Sequence, residues 1–172
     1  RYLLRLNEIN QEKSVTDYLT GLCNRRGMED YIHEKWPCWA QKEHYLICES
    51  IDLDGLKYIN DTYGHKEGDW AICTVADAIS RTLGEDGIAA RTGGDEFVIV
   101  LTGTDEQKIL VIEQKIRESL EEKNRLSGKP YRAECSMGHY MTPISARESF
   151  EECMRLSDIE MYKEKKAKKA GR

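Results

Sequence analysis

The sequence has no apolar run long enough to cross a bilayer. Its longest uninterrupted apolar stretch, Phe97 to Leu101, is five residues, against the roughly 20 that a membrane helix needs, so no membrane contact is expected from this domain. No secretory leader is visible, and the chain opens at Arg1 in a helical-looking stretch, which predicts a piece of a longer protein. Closely spaced cysteines are missing as well: Cys23, Cys38, Cys48, Cys73, Cys135 and Cys153 include no CxxC pair. A chain of this size needs no disulfide staples. The six therefore read as reduced, mostly buried thiols of a cytoplasmic domain, or of the cytoplasmic part of a membrane-anchored protein, with a zinc site as the alternative. An excess of positive charge is also absent. Lys and Arg number 26 against 31 Asp and Glu, a net charge of −5, so no whole-domain field attracts a phosphate polymer, and a general nucleic-acid partner is excluded. Residues 163–172 carry six basic residues and one Glu, so the 162 before them carry −10. An acidic body ends in a basic tail.

What is present fits one folded domain: 172 residues, 40% apolar and 33% charged, with no repeat and no low-complexity linker. Leu3, Leu6 and Ile9 at three-residue steps predict an N-terminal linker or stalk helix over residues 1–16, leaving 17–172 as the main domain. A turn-rich segment, Asp17 to Arg26, leads into a helix expected to end before Pro37, with Trp36 and Trp39 in the loop around it. Tyr45 to Leu53 reads as a buried strand ending at Asp52 and Asp54. A short helix through Asn60, a turn at Gly64 and a helix from about Asp69 to Leu83 follow, the last with Ile72, Val75, Ala76, Ile79 and Leu83 on one face. Ile88 to Thr92 and Phe97 to Leu101 predict a hairpin across Gly93-Gly94. Residues 105–126 form an amphipathic helix through Ile109, Ile112, Ile116 and Leu120. Tyr131 to Tyr140 alternates as a strand with Ala133, Cys135 and Met137 inward, and a last helix from about Arg147 carries Phe150, Met154 and Met161. The pattern predicts an α+β domain with a central antiparallel-rich sheet flanked by helices.

Two acidic pairs stand out. Asp52 and Asp54 are two apart at a strand end, so the period of two points them to one side, where carboxylates either bind a hard cation or serve as solvated turn formers. Asp95-Glu96 follows two glycines inside the hairpin, where glycine permits positive φ and close approach of the backbone to a ligand, and Arg91 adds a cation for phosphate. His65 reads as structural, and His33, His44 and His139 show no ligand spacing.

Gly93 to Phe97 spell GGDEF, and the chain resembles the GGDEF domains of bacterial diguanylate cyclases. Asp17 to Arg26 is similar to the DxLTGLxNRR segment of that family, Asp52 to Asp69 to its DxDxFKxxNDxxGHxxGD stretch, and Ser157 to Lys165 to its ADxAMYxAK helix. The resemblance implies a palm-like nucleotide-cyclase fold and the condensation of two GTP to cyclic di-GMP with release of pyrophosphate, each subunit of a homodimer holding one GTP. It implies two Mg²⁺ or Mn²⁺ ions per site on Asp52, Asp95 and the Leu53 carbonyl, and a catalytic position at Glu96, as base or as neighbour of the metal. Asn60 and Asp69 match the guanine-reading pair, a carboxylate being able to accept both N1–H and N2–H. Lys57, Lys165 and Lys169 match cations on the phosphates. Gly55-Leu56 stands where the family has an aromatic, leaving the backbone free to approach the phosphates. An upstream sensor domain is the implied partner.

The sequence departs from the family at Gly84 and Gly87, where many members carry an RxxD product-inhibition motif; at Lys169, where Arg is usual; and at Glu160, in place of a small residue. Two rival readings stay open: a catalytically inactive GGDEF domain that binds GTP as a sensor or dimerising module, and a cyclase making another cyclic nucleotide from GTP.

Overall fold

A strand buried on both faces divides the molecule into layers. In the computed structural model, which describes residues 14–42, 44–84, 87–144 and 148–171, the expected strand is found at β2, Tyr45–Leu53, with every residue after Tyr45 buried. Its continuous apolar character follows from having helices on both sides. Ile47, Ile51 and Leu53 face one core with α3 (His65–Leu83) and α4 (Gln107–Ser127), through Ile72, Val75, Ile79, Ile109, Ile112 and Ile116. Leu46 and Cys48 face a second core with α1 (Arg25–Trp39) and α5 (Glu148–Ala170), through Met28, Ile32, Trp39 and Cys153. The Oγ atoms of Ser50 and Ser157 lie 2.8 Å apart and tie α5 to the second face.

The sheet runs β1-β3-β4-β2-β5, with β1 at Cys23–Asn24, β3 at Gly87–Arg91, β4 at Glu96–Gly103 and β5 at Cys135–Pro143. Among the described residues only β1 and β3 pair in parallel, and the three other strand pairings are antiparallel. This is the expected α+β architecture, and the β3–β4 hairpin closes across the two glycines as read from the sequence. The helical faces of α3 and α4 point inward with the residues their periodicity named.

Several boundaries differ. The expected stalk helix falls mostly on residues 1–13, outside the described residues, and residues 14–16 are not helical, Thr16 bridging Cys23. The first helix does not stop before Pro37 but continues to Trp39, so Trp36 and Trp39 are helical. An interior proline costs about 3 kcal/mol. Burying a large apolar side chain contributes about 1.5–3 kcal/mol, and Trp39 is buried and stacked edge-on against Tyr31 at 6.1 Å between centroids. Packing at the far end of the last turn therefore offsets the proline. α3 begins at His65 rather than Asp69, directly after Gly64, whose φ of +93° turns the chain out of α2 (Leu56–Tyr63). β5 begins four residues later than expected because Tyr131 is drawn away from the sheet onto Tyr63 and Trp70. All six cysteines are free thiols, with Cys48, Cys135 and Cys153 buried.

Candidate active site

The acidic end of β2 meets the lysines of α5. Asp52 accepts from Lys165 Nζ at 2.5 Å, and Asp54 from Ser136 Oγ at 2.8 Å and Lys168 Nζ at 3.1 Å. The two carboxylates do share a side, and that side is covered by a helix rather than by water. Burial acts against both members of the first pair, raising Asp52 and lowering Lys165. For Lys165 three carboxylates, Asp52, Asp95 and Asp54, outweigh it and the ammonium is held above its usual pKa. For Asp52 one ammonium does not, since Asp95 and Asp54 add their repulsion and its pKa stays raised. The cluster is short of positive charge, and hard oxygen donors in that condition suit a divalent cation.

The hairpin is docked against this end of the strand. Leu53 N–H donates to the Asp95 carbonyl at 2.8 Å, and Asp52 is in register with Glu96 on one side and Ser136 on the other. Neither Gly93 nor Gly94 adopts the positive φ expected for them. Their value is room: a Cβ on Gly93 would stand 2.5 Å from Glu96 Oε2, and one on Gly94 would meet nothing within 4 Å, so the loop is bare on its outer side. The positive φ at this site belongs to Gly55, at +71°, which opens α2.

Arg91 does not join the lysines. Its Nη1 lies 3.2 Å from both oxygens of Asp17, and its Nη2 donates at 2.8 Å to the Gly94 carbonyl. Asp17 in turn accepts from the Thr20 N–H at 2.9 Å and hydroxyl at 2.7 Å. Burial opposes ionisation of Asp17, but these bonds and the guanidinium hold its pKa below the ordinary carboxylate value. The turn at Asp17 thus fixes Arg91, and Arg91 fixes the glycine loop.

One cleft of about 280 Å³ is lined by Leu53, Gly55, Leu56, Lys57, Asp95, Lys165 and Lys169, all singled out from the sequence, together with Asp54 and Lys168. Lys168, which also donates to the Cys135 carbonyl at 2.6 Å and pairs with Glu164 at 2.9 Å, escaped the sequence reading because it sits in a run of lysines. Its spacing of three from Lys165 was the available signal. Asn60 and Asp69 lie apart from the cleft, on the two helices that flank Gly64. Gly68 makes space for Asn60: a Cβ there would stand 1.9 Å from Asn60 Oδ1. With α3 starting at His65, its first-turn acid is Glu67, so the helix dipole does not account for the exposed Asp69.

The sequence profile of the family described as diguanylate cyclase, GGDEF domain, matches residues 14–171. The chain belongs to the GGDEF family. This GGDEF domain is 30% identical over 163 residues to the probable diguanylate cyclase DgcC of Escherichia coli K12, covering 94% of the chain and 43% of that relative. It is 30% identical over 158 residues to the diguanylate cyclase DgcP of the same strain, covering 91% and 46%. The chain thus spans less than half the length of these curated relatives. Among solved structures, the GGDEF domain of DgcB from Caulobacter crescentus, in complex with c-di-GMP, superposes with a TM-score of 0.79 at 26% identity, covering 90% of this chain and 92% of that one. SiaD from Pseudomonas aeruginosa, in complex with its activator SiaC, gives 0.77 at 26% identity, covering 96% and 64%. The α+β sheet with its flanking helices is therefore the fold of this family. No helix among the described residues is long and apolar enough to cross a membrane.

Proposed function

We propose that this GGDEF domain is an active diguanylate cyclase, condensing two GTP to cyclic di-GMP in a homodimer, each copy holding one GTP. The observation that carries the reading is the cleft in which Asp54 and Asp95 meet Lys57, Lys165, Lys168 and Lys169, with Asp52 held against its edge by Lys165. Such a cleft suits a triphosphate with bound cations.

Asp52, Asp95 and the Leu53 carbonyl would hold Mg²⁺ or Mn²⁺, two per site. Bound there, the ions supply Lewis-acid stabilisation of the α-phosphate and lower the pKa of the attacking 3′-hydroxyl. The chain's own groups do the rest. Lys57, Lys165 and Lys169 neutralise the triphosphate, and Gly55, with nothing within 4 Å of a built Cβ, leaves the first turn of α2 open to phosphate oxygens. Asp69 accepts the N1–H and N2–H of guanine with Asn60 beside it, which selects GTP over ATP because adenine lacks that donor pair. Glu96, exposed next to Asp95 at the hairpin tip, serves as base or as neighbour of the metal. A cytoplasmic setting and an upstream sensor domain that controls pairing of the two copies belong to the same proposal.

The test is incubation of the purified domain with GTP and Mg²⁺ or Mn²⁺, followed by identification of products by mass. Cyclic di-GMP is the expected product. GTP recovered intact at high protein concentration would make the domain a binding module, and a different cyclic product would reassign the cyclase.

Two further outcomes follow from the glycines. Gly68→Ala should displace the Asn60 amide, the movable end of a side chain, and so raise the KM for GTP several-fold while the melting temperature stays within a few degrees. An unchanged KM in steady-state assays would remove Asn60 from guanine recognition. The RxxD positions are Gly84, at φ +66°, and Gly87, where a Cβ would stand 2.7 Å from the Val100 carbonyl oxygen, so this backbone resists an Arg and Asp pair there. Cyclic di-GMP should accordingly inhibit only weakly, and a saturable submicromolar site in calorimetry would contradict this.

A further inference from the structure

Three residues before Asp52 on β2, and on the opposite face of the sheet, Glu49 is fully buried, and neither of its carboxylate oxygens has a hydrogen-bond partner among the described residues. It shares its face of β2 with Ile47 and Ile51, which join the core, and a carboxylate buried there without compensation is costly. What faces it is directed. His139, its register partner on β5, brings Nδ1 to 3.7 Å from Glu49 Oε2. Glu113 on α4 brings Oε1 to 2.6 Å from the same Nδ1. The three ligand atoms all lie within 4.8 Å of one another.

We propose that Glu49, Glu113 and His139 together bind one divalent transition-metal ion of the zinc class, at a site separate from the cyclase cleft. Tetrahedral ligands about 2.1 Å from zinc stand about 3.4 Å from one another, so the His139–Glu49 spacing is already suitable and the Glu113 contact has to open by less than an ångström. The far side of the imidazole is prepared too. His139 Nε2 lies 2.7 Å from Glu106 Oε1, the carboxylate–histidine arrangement that orients a metal-bound imidazole and fixes its tautomer. One nitrogen and two carboxylate ligands with no thiolate favour zinc over magnesium or calcium, which take oxygen alone. Two carboxylates would neutralise the ion. The neighbouring cation, Arg117, is committed to Glu164 at 2.9 Å. The site opens onto a pocket of about 440 Å³ that Glu160, paired with Lys163 at 2.6 Å, also lines.

Without a metal, the hydrogen bond that Glu113 accepts from His139 leads in raising His139 to a pKa of about 9, while burial and the neighbouring Glu113 push Glu49 well above the carboxylate range. A proton-sharing network of this kind is the competing account, and it predicts no zinc binding. Chelator-treated domain is titrated with Zn²⁺ by calorimetry, and thermal melts without metal check that each variant folds. The wild type and an Asp52→Asn, Asp95→Asn double variant should each bind one equivalent at this site. Glu113→Gln and His139→Gln should lose it, and Glu106→Gln should weaken it by roughly 10–100-fold. Undiminished binding in both Glu113→Gln and His139→Gln, or no binding by the wild type, overturns the proposal. If His139→Gln fails to fold, Glu113→Gln decides alone.

Discussion

Asp95→Ala should abolish GTP turnover and leave the fold intact. Asp95 is half-buried in the hairpin, and it is its backbone carbonyl, not its side chain, that docks on Leu53. Removing the carboxylate therefore breaks no hydrogen bond that holds the loop. It removes a repulsion instead, because Asp95 is one of the charges that keep Asp52 raised. The melting transition should move by no more than about 0.5 kcal/mol, as for substitutions away from packing and buried networks. Turnover should fall by roughly 10²–10³-fold or more, the scale for losing one preorganised electrostatic group at a reacting centre. The measurement pairs product formation with a thermal melt. Retained activity would move the metal-binding position elsewhere; lost activity with a lost fold would leave the role of the carboxylate unsupported.

Gly138→Ala should do the reverse, damaging the fold first and activity through it. Gly138 is on β5 directly under α5. A Cβ there would stand 1.9 Å from the backbone nitrogen of Met161 and 2.4 Å from the carbonyl carbon of Glu160. Both neighbours are main chain, so neither can rotate aside as Asn60 can beside Gly68. Ordinary contact is about 3.5–4.0 Å, so the helix has to lift by roughly 1.5–2 Å from the strand. Overpacking of this kind costs about 1–3 kcal/mol and occasionally more. α5 also carries Lys165 and Lys168 onto Asp52 and Asp54, and a displacement of about 1 Å at reacting groups can cost 10²-fold in rate. Denaturant unfolding and turnover measured on the same preparation should both fall. Wild-type values for both would mean that strand and helix are not in contact as described.

Much of the site was legible in one dimension because the chemistry sits in short contiguous blocks. Leu53, Asp54, Gly55, Leu56 and Lys57 are consecutive, and the turn after β2 delivers them to one cleft, with Asp52 next to them on Lys165. Lys165 and Lys169 share a helix face by spacing alone. Where the reading went astray, long-range contacts were responsible. Arg91 has the right charge for phosphate, but Asp17, 74 residues away, has engaged it. Lys168 looked like one of several solvated lysines until the fold brought Asp54 beneath it. Pro37 is a stop signal that the packing of Trp39 overrode. His139 carries no ligand spacing in sequence, since its partners Glu49 and Glu113 come from another strand and from a helix.

The sequence by itself determined the family, the order of the helices and of the four longer strands, the inward faces of α3 and α4, and the acidic and basic residues that meet at the end of β2; the two-residue β1 lay hidden in a turn-rich segment. Periodicity and contiguous motifs carry that information locally, so no third dimension is needed to read it. The tertiary structure alone decided which charges are paired with each other and which remain open to a ligand. It showed that Asp17, Arg91 and the Gly94 carbonyl form one clamp, that Gly138 is a glycine for lack of room rather than for backbone freedom, and that the buried Glu49 faces His139 without a hydrogen bond among the described residues. Those properties depend on distance and burial between residues far apart in the chain, and burial sets the cost of every unpaired charge.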